Sequence, residues 1–105
     1  RHVLRAALAD VDWQARARDR LLAAGERLRT LLAAHGVAPT AGNAFFQWWR
    51  HPDAHALHEA LAMRGILVRR FDDPMSLRFG LPANDAGFAR LDAALTEAMP
   101  MVKRW

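Results

Sequence analysis

The clearest candidate for chemistry in this sequence is an arginine inside an apolar strand pattern. In the stretch SLRFGLP (76–82), apolar residues alternate with Arg78 and Gly80. Successive strand side chains point to opposite faces, so Arg78 and Gly80 share one face and the apolar residues share the other. A guanidinium beside a residue that lacks a side chain suits bidentate capture of a carboxylate. The alternative is an edge-strand arginine in a surface salt bridge, which contributes little stability.

A second candidate arginine lies on the preceding predicted strand. The stretch ILVRRF (66–71) has the apolar, β-branched composition of a strand, and it contains Arg69. If the two strands lie side by side, the Arg69 side chain can extend into the same region as that of Arg78. The pattern therefore predicts two guanidiniums near one ligand.

Three histidines in HPDAHALH suggest a metal site, but the spacing argues against it. His51, His55 and His58 include i, i+3 and i, i+4 pairs, which can share a metal on a helix. However, His51 precedes Pro52 and is predicted to lie outside the helix. No carboxylate completes an H-E-x-x-H spacing either. The sequence favours histidines on a helix surface and predicts no metal site.

Aromatic and nucleophilic residues do not complete an active site. Trp48 and Trp49 are adjacent in a predicted strand, so they point to opposite faces and cannot form one platform for bases or sugars. One is expected in the core and the other at an interface. Tyrosine and cysteine are absent, and Ser76 has no partner histidine at a recognisable spacing. The chain is expected to carry part of a site and no catalytic residue.

The elements that must position these residues follow the order α-β-α-β-β-α. The predicted elements are a long helix from about Asp12 to His35, a strand over 44–50, a helix over 51–65, strands over 66–71 and 77–81, and a helix over 82–99 with Asn84 as N-cap. A strand-helix-strand unit that continues through a tight turn is a split βαβ arrangement. We predict one α+β domain over residues 1–105, with helices on one face of a small three-stranded mixed sheet. The third strand lies between the other two and is antiparallel to them.

Composition excludes several classes of protein. The 105 residues are 52% hydrophobic, which predicts one folded domain, and no apolar run approaches the roughly 18 residues of a membrane span. The net charge is +4, and Lys103 is the only lysine. Arginines of the first helix alternate with acidic residues, as on a solvated helix face. We expect a cytoplasmic protein that binds neither nucleic acid nor membrane.

The stretch HPDAHALHEALAMRGILVRRF…LRFGLP resembles the C-terminal small domain of fold-type-I pyridoxal-phosphate enzymes. It is most similar to the histidinol-phosphate aminotransferase group, and within it to the threonine-phosphate decarboxylases of cobalamin biosynthesis. GNAFFQWW in the first strand resembles the decarboxylase branch more than the aminotransferases. The resemblance implies that Arg78 binds the substrate carboxylate and that Arg69 lies near the phosphate end, with Arg70 as a competitor for that role.

The resemblance also implies which parts of the enzyme lie outside this chain. The Schiff-base lysine and cofactor cradle of the family belong to a large domain of the same polypeptide, and Lys103 lacks the family context of that lysine. The complete enzyme would be a homodimer that uses pyridoxal phosphate on an amino-acid phosphate. The chain alone is expected to bind no cofactor and to be inactive. The alternatives are an aminotransferase of the histidinol-phosphate type and a free-standing α+β ligand-binding or interaction module.

Overall fold

A computed structural model describes the backbone of residues 2–102 and the side chains of residues 10–102. The helices are α1 (His2–Ala34), α2 (Ala54–Ala62), α3 (Asp85–Ala98) and a short 3-10 helix (Met99–Met101); the strands are β1 (Ala41–Gly42), β2 (Phe46–Arg50), β3 (Arg69–Asp72) and β4 (Met75–Gly80). This is an α+β fold, as the sequence predicts. None of the helices described between residues 2 and 102 is apolar over a length that could cross a bilayer.

The ends of the helices follow from local chemistry. α1 has 33 residues and begins ten residues before the predicted start at Asp12, because alanine, leucine and arginine favour helix without a capping residue. It ends before Gly36, whose φ of +84° is accessible to glycine at little cost. The predicted N-cap of α3 is confirmed, since the Asn84 side chain accepts a hydrogen bond from the Gly87 N–H at 2.9 Å.

The four strands form one sheet in the order β1-β2-β4-β3, and every neighbouring pair is antiparallel. β4 lies between β2 and β3, as predicted, so the two strands that α2 connects run in the same direction on either side of it. Two details differ from the prediction. The sheet has four strands rather than three, because Ala41 and Gly42 pair with Trp48 and Gln47. Hydrogen-bonded neighbours are all antiparallel, so the sheet is not mixed.

The core lies between one face of the sheet and the helices. β2 contributes Trp49, and β4 contributes Leu77 and Phe79. The buried helical residues are Leu28 and Leu32 of α1, Ala54, Leu57, Ala60 and Leu61 of α2, and Phe88, Leu91, Ala94, Leu95 and Ala98 of α3. The alternation of β4 therefore sets which of its side chains enter the core.

Candidate functional site

Two arginines lie opposite each other on the sheet surface that faces away from the helices. The register of β3 and β4 pairs Arg69 with Arg78, and the register of β2 and β4 pairs Trp48 with Arg78. Directly paired residues of antiparallel strands project to the same side. We call this surface the open face; its residues are Phe46, Trp48, Arg50, Arg69, Phe71, Ser76, Arg78 and Gly80.

The predicted direction of Arg78 is confirmed by the burial of its neighbours. Leu77 and Phe79 are buried in the core, whereas Arg78 is only partly buried and Gly80 is exposed. A Cβ atom built at Gly80 has no heavy atom within 4 Å apart from those of Gly80 and its two neighbours in the chain. There is thus open space beside Arg78 on the open face, in which a ligand could approach the strand.

The register also separates Arg69 from Arg70. Arg70 pairs with the core residue Leu77, so it belongs to the opposite side of the sheet. Its Nε lies 3.4 Å from Oδ1 of Asp72, on the same strand. The geometry therefore groups Arg69, and not Arg70, with Arg78.

Arg69 and Arg78 have no acidic partner among residues 10–102. The ion pairs described there involve other basic residues, and neither the Arg69 nor the Arg78 guanidinium donates a hydrogen bond to a described group. Like charges that face each other across a strand pair are destabilising. A carboxylate or phosphate bound here would supply the missing negative charge through charge-assisted hydrogen bonds.

Aromatic rings provide the contacts of these guanidiniums. The Arg78 guanidinium carbon lies 4.7 Å from the ring centre of Phe46 and 5.9 Å from that of Phe71. The Arg69 guanidinium carbon lies 5.3 Å from the Phe71 ring centre. Sequence reasoning gave neither Phe46 nor Phe71 a role beside the arginines. The available signal was the period-2 spacing of Arg69 and Phe71, which puts them on one face.

The histidines of HPDAHALH have separate local environments. His51 lies before α2, as predicted; its ring stacks on Trp49 with centres 4.7 Å apart, and its Nδ1 accepts a hydrogen bond from the Asp53 N–H at 2.9 Å. Burial lowers the pKa of His51, which favours the neutral ring. His55 Nε2 lies 3.1 Å from Oδ1 of Asp72. Among the side chains described from residue 10 to 102, no three potential ligands form a metal-binding group.

The adjacent tryptophans occupy opposite faces, which confirms the strand prediction. Trp49 is buried in the core at 5% exposure, while Trp48 is partly buried on the open face. Ser76 is fully buried, and its hydroxyl donates a hydrogen bond to the Pro74 carbonyl at 2.9 Å. That bond gives the hydroxyl a structural role. Lys103 lies outside the described residues.

A broad groove of about 970 Å³ lies on the other side of the molecule, between the C-terminal ends of α1 and α3. Its lining includes His35, His51, Thr96 and Met99. His35 Nε2 lies 2.5 Å from Oδ1 of Asp92, so this contact joins the residue that follows α1 to α3. Sequence reasoning did not identify this groove, because its walls come from segments that are distant in the chain.

Comparison with known proteins identifies a close relative but no matching family model. The chain is 55% identical over 95 residues to the threonine-phosphate decarboxylase of Pseudomonas aeruginosa. The alignment covers 90% of this chain and 29% of that enzyme, so the chain spans less than a third of its relative's length. The resemblance inferred from the sequence is thereby confirmed over nearly the whole chain.

Proposed function

We propose that this chain is the C-terminal small domain of a pyridoxal-phosphate-dependent threonine-phosphate decarboxylase of cobalamin biosynthesis, in which Arg78 binds the substrate carboxylate. The observation that carries this proposal is the Arg69–Arg78 pair without a described acidic partner, in a chain similar to an enzyme of that name. Threonine phosphate has a carboxylate and a phosphate. Two neighbouring guanidiniums match these two anionic groups in number and are opposite to them in the sign of their charge.

The role of Arg78 is to bind and orient the substrate. A planar guanidinium holds a carboxylate through two parallel hydrogen bonds, which fixes both the position and the rotation of the bound group. Arg69, one strand away on the same face, is the matching donor for the phosphate end. Binding at two points limits the rotation of the substrate, and this orientation selects which bond is presented for cleavage.

The cofactor belongs to the part of the polypeptide outside this chain. Pyridoxal phosphate, when bound, supplies an electron sink for the bond that breaks. Its covalent anchor in the family is a lysine, and the only lysine here, Lys103, lies outside the described residues and follows the last helix. The described residues therefore do not fit a cofactor anchor, and the contribution of this chain is the binding of substrate.

The surface of α1 supports a further domain in the same polypeptide. Leu28 and Leu32 in the second half of α1 are fully buried, whereas Val11 and Trp13 in the first half are about 60% exposed. Exposed apolar residues along a helix mark an interaction surface. A large cofactor-binding domain would cover them, in a cytoplasmic homodimer like that implied by the resemblance.

The test is an assay of the full-length protein with pyridoxal phosphate. We expect release of carbon dioxide from threonine phosphate, and no amino transfer from histidinol phosphate to 2-oxoglutarate. Amino transfer without carbon dioxide release would identify the aminotransferase alternative. If neither reaction occurs, the proposed function is wrong. A start of translation immediately before Arg1 would then favour the free-standing binding module.

A further inference from the structure

We infer that Phe46 and Phe71 are positioning residues that hold the Arg78 guanidinium ready for the substrate carboxylate, and that Phe71 also positions Arg69. This inference rests on the proposed function, and it names the residues that increase the affinity of Arg78 for the substrate carboxylate. The two rings lie on the strands that flank β4, so Arg78 has an aromatic partner on each side. All three ring-to-guanidinium distances, 4.7, 5.9 and 5.3 Å, fall within the range of about 6 Å in which a cation is attracted to an aromatic ring.

Small residues in β4 leave room for this stacking. Gly80 pairs with Phe46, and Ser76 pairs with Phe71. Both are two residues from Arg78, so they lie on the same face of the strand. Gly80 has no side chain, and Ser76 directs its hydroxyl to the Pro74 carbonyl. Each ring therefore lies beside Arg78 with no large side chain of β4 next to it.

The aromatic contacts prepare Arg78 for binding without using its hydrogen-bond donors. The rings attract the charge of the guanidinium, and its N–H groups donate to no described acceptor, so they remain available to a carboxylate. An arginine that is already held in place loses less side-chain freedom when the ligand binds. The negative ring faces also offset part of the repulsion between Arg69 and Arg78, which have no described carboxylate partner.

The shared ring distinguishes the two phenylalanines. Phe46 contacts only Arg78 of the pair, whereas Phe71 contacts both guanidiniums. Loss of the Phe46 ring should therefore weaken one anionic contact of the substrate, and loss of the Phe71 ring should weaken two. The effect of removing Phe71 should be the larger.

The experiment compares leucine and tyrosine variants in the full-length decarboxylase. Phe46→Leu should raise KM for threonine phosphate about three- to tenfold, and Phe71→Leu should raise it further, with kcat within about twofold of the wild type. Phe46→Tyr and Phe71→Tyr keep the aromatic ring, so the KM of each should stay close to that of the wild type. Phe45→Leu is the matched control, since Phe45 is 63% exposed and lies next to Phe46 in the chain.

A double variant separates positioning from a general loss of structure. In an Arg78→Gln background, Phe46→Leu should add less than about twofold to KM, because the cation that the ring attracts is already gone. If Phe46→Leu raises KM by the same factor with and without the Arg78 substitution, the inference is overturned. If either leucine variant fails to fold, trifluorinated phenylalanine at that position keeps the shape of the ring and weakens its negative face. It should still raise KM, and an unchanged KM would overturn the inference.

The result with Arg78→Lys alone shows which proposal fails. If Arg78→Lys raises KM while both leucine variants leave it unchanged, the positioning role is wrong and the proposed function stands. If Arg78→Lys leaves KM unchanged, the proposed role of Arg78 is itself wrong, and the positioning inference falls with it.

Discussion

Arg69 and Arg78 lie directly opposite each other on β3 and β4, and no acidic side chain of residues 10–102 forms an ion pair with either of them. A stable fold gains nothing from placing two like charges in register. Their pairing is therefore better explained by a bound anion than by stability.

Arg78→Lys in the full-length enzyme should raise KM for threonine phosphate about ten- to a hundredfold. A lysine cannot reproduce the paired hydrogen bonds of the guanidinium, and a charge-assisted bond contributes about 1.5–3 kcal/mol. The melting temperature should change little, since the lost aromatic contact is worth about 0.5–1 kcal/mol. Steady-state kinetics and a thermal melt of the same variant measure these two effects.

Arg70→Lys, on the other side of the sheet, is the control and should behave as the wild type. Normal kinetics with a large drop in melting temperature for Arg78→Lys would show a structural role.

Arg69→Gln should weaken substrate binding without destabilising the domain. The substitution removes one of two opposing like charges and also one aromatic contact with Phe71, so the two changes in stability have opposite signs. We expect the free energy of unfolding to stay within about 0.5 kcal/mol of the wild type. Denaturant unfolding measures this, and kinetics with threonine phosphate measures binding. A clear loss of stability with unchanged KM would contradict the assignment.

Local patterns were sufficient to predict the three α-helices, except for the first ten residues of α1, and the face of Arg78. The alternation of apolar residues with Arg78 and Gly80 fixes the phase of β4, because a strand has a period of two. The same logic could not find β1. Its two residues, Ala41 and Gly42, have no strand pattern. The turn before β2 is stabilised by Asn43 Oδ1, which accepts hydrogen bonds from the backbone N–H groups of Phe45 and Phe46.

The details of the candidate site depend on pairing between distant segments. The sequence could not choose between Arg69 and Arg70, since the choice depends on the register of β3 against β4. A shift of one residue would exchange their faces. The contacts of Phe46 and Phe71 with Arg78 depend on that register and on side-chain rotamers, so no local sequence pattern predicts them.

Protonation of His51 should destabilise the domain below about pH 6.5. Burial lowers the pKa of His51 from its ordinary value of 6.5, although the Asp53 carboxylate opposes the shift. Between the pKa of His51 in the folded chain and its pKa of about 6.5 in the unfolded chain, the unfolded chain binds more protons. The stability that neutral His51 contributes is therefore complete above about pH 6.5, and it is lost as the pH falls from there through the folded-state pKa. Protonation of Nδ1 also removes the acceptor for the Asp53 N–H.

Denaturant unfolding from pH 8 to pH 5 measures this dependence. His51→Asn does not titrate and retains an oxygen acceptor, so the difference in stability between wild type and variant should shrink as the pH falls. A difference that is constant over the whole range would show that His51 does not contribute to the pH dependence.

The 105-residue chain, prepared without the rest of the polypeptide, should self-associate through the open face. Phe46, Trp48 and Phe71 are partly buried there and lie outside the core cluster and the residues packed against it. A sheet face with this much apolar surface and no described cover is a typical interaction surface. Sedimentation velocity over a range of concentrations should show oligomers. Trp48→Gln should reduce the oligomer fraction, while circular dichroism confirms that the variant is folded.

Trp13→Gln, on the exposed half of α1, tests whether the chains associate through this helix instead. A strict monomer at high concentration would show that the open face does not drive association, and oligomers that disappear only with Trp13→Gln would assign the contact to α1.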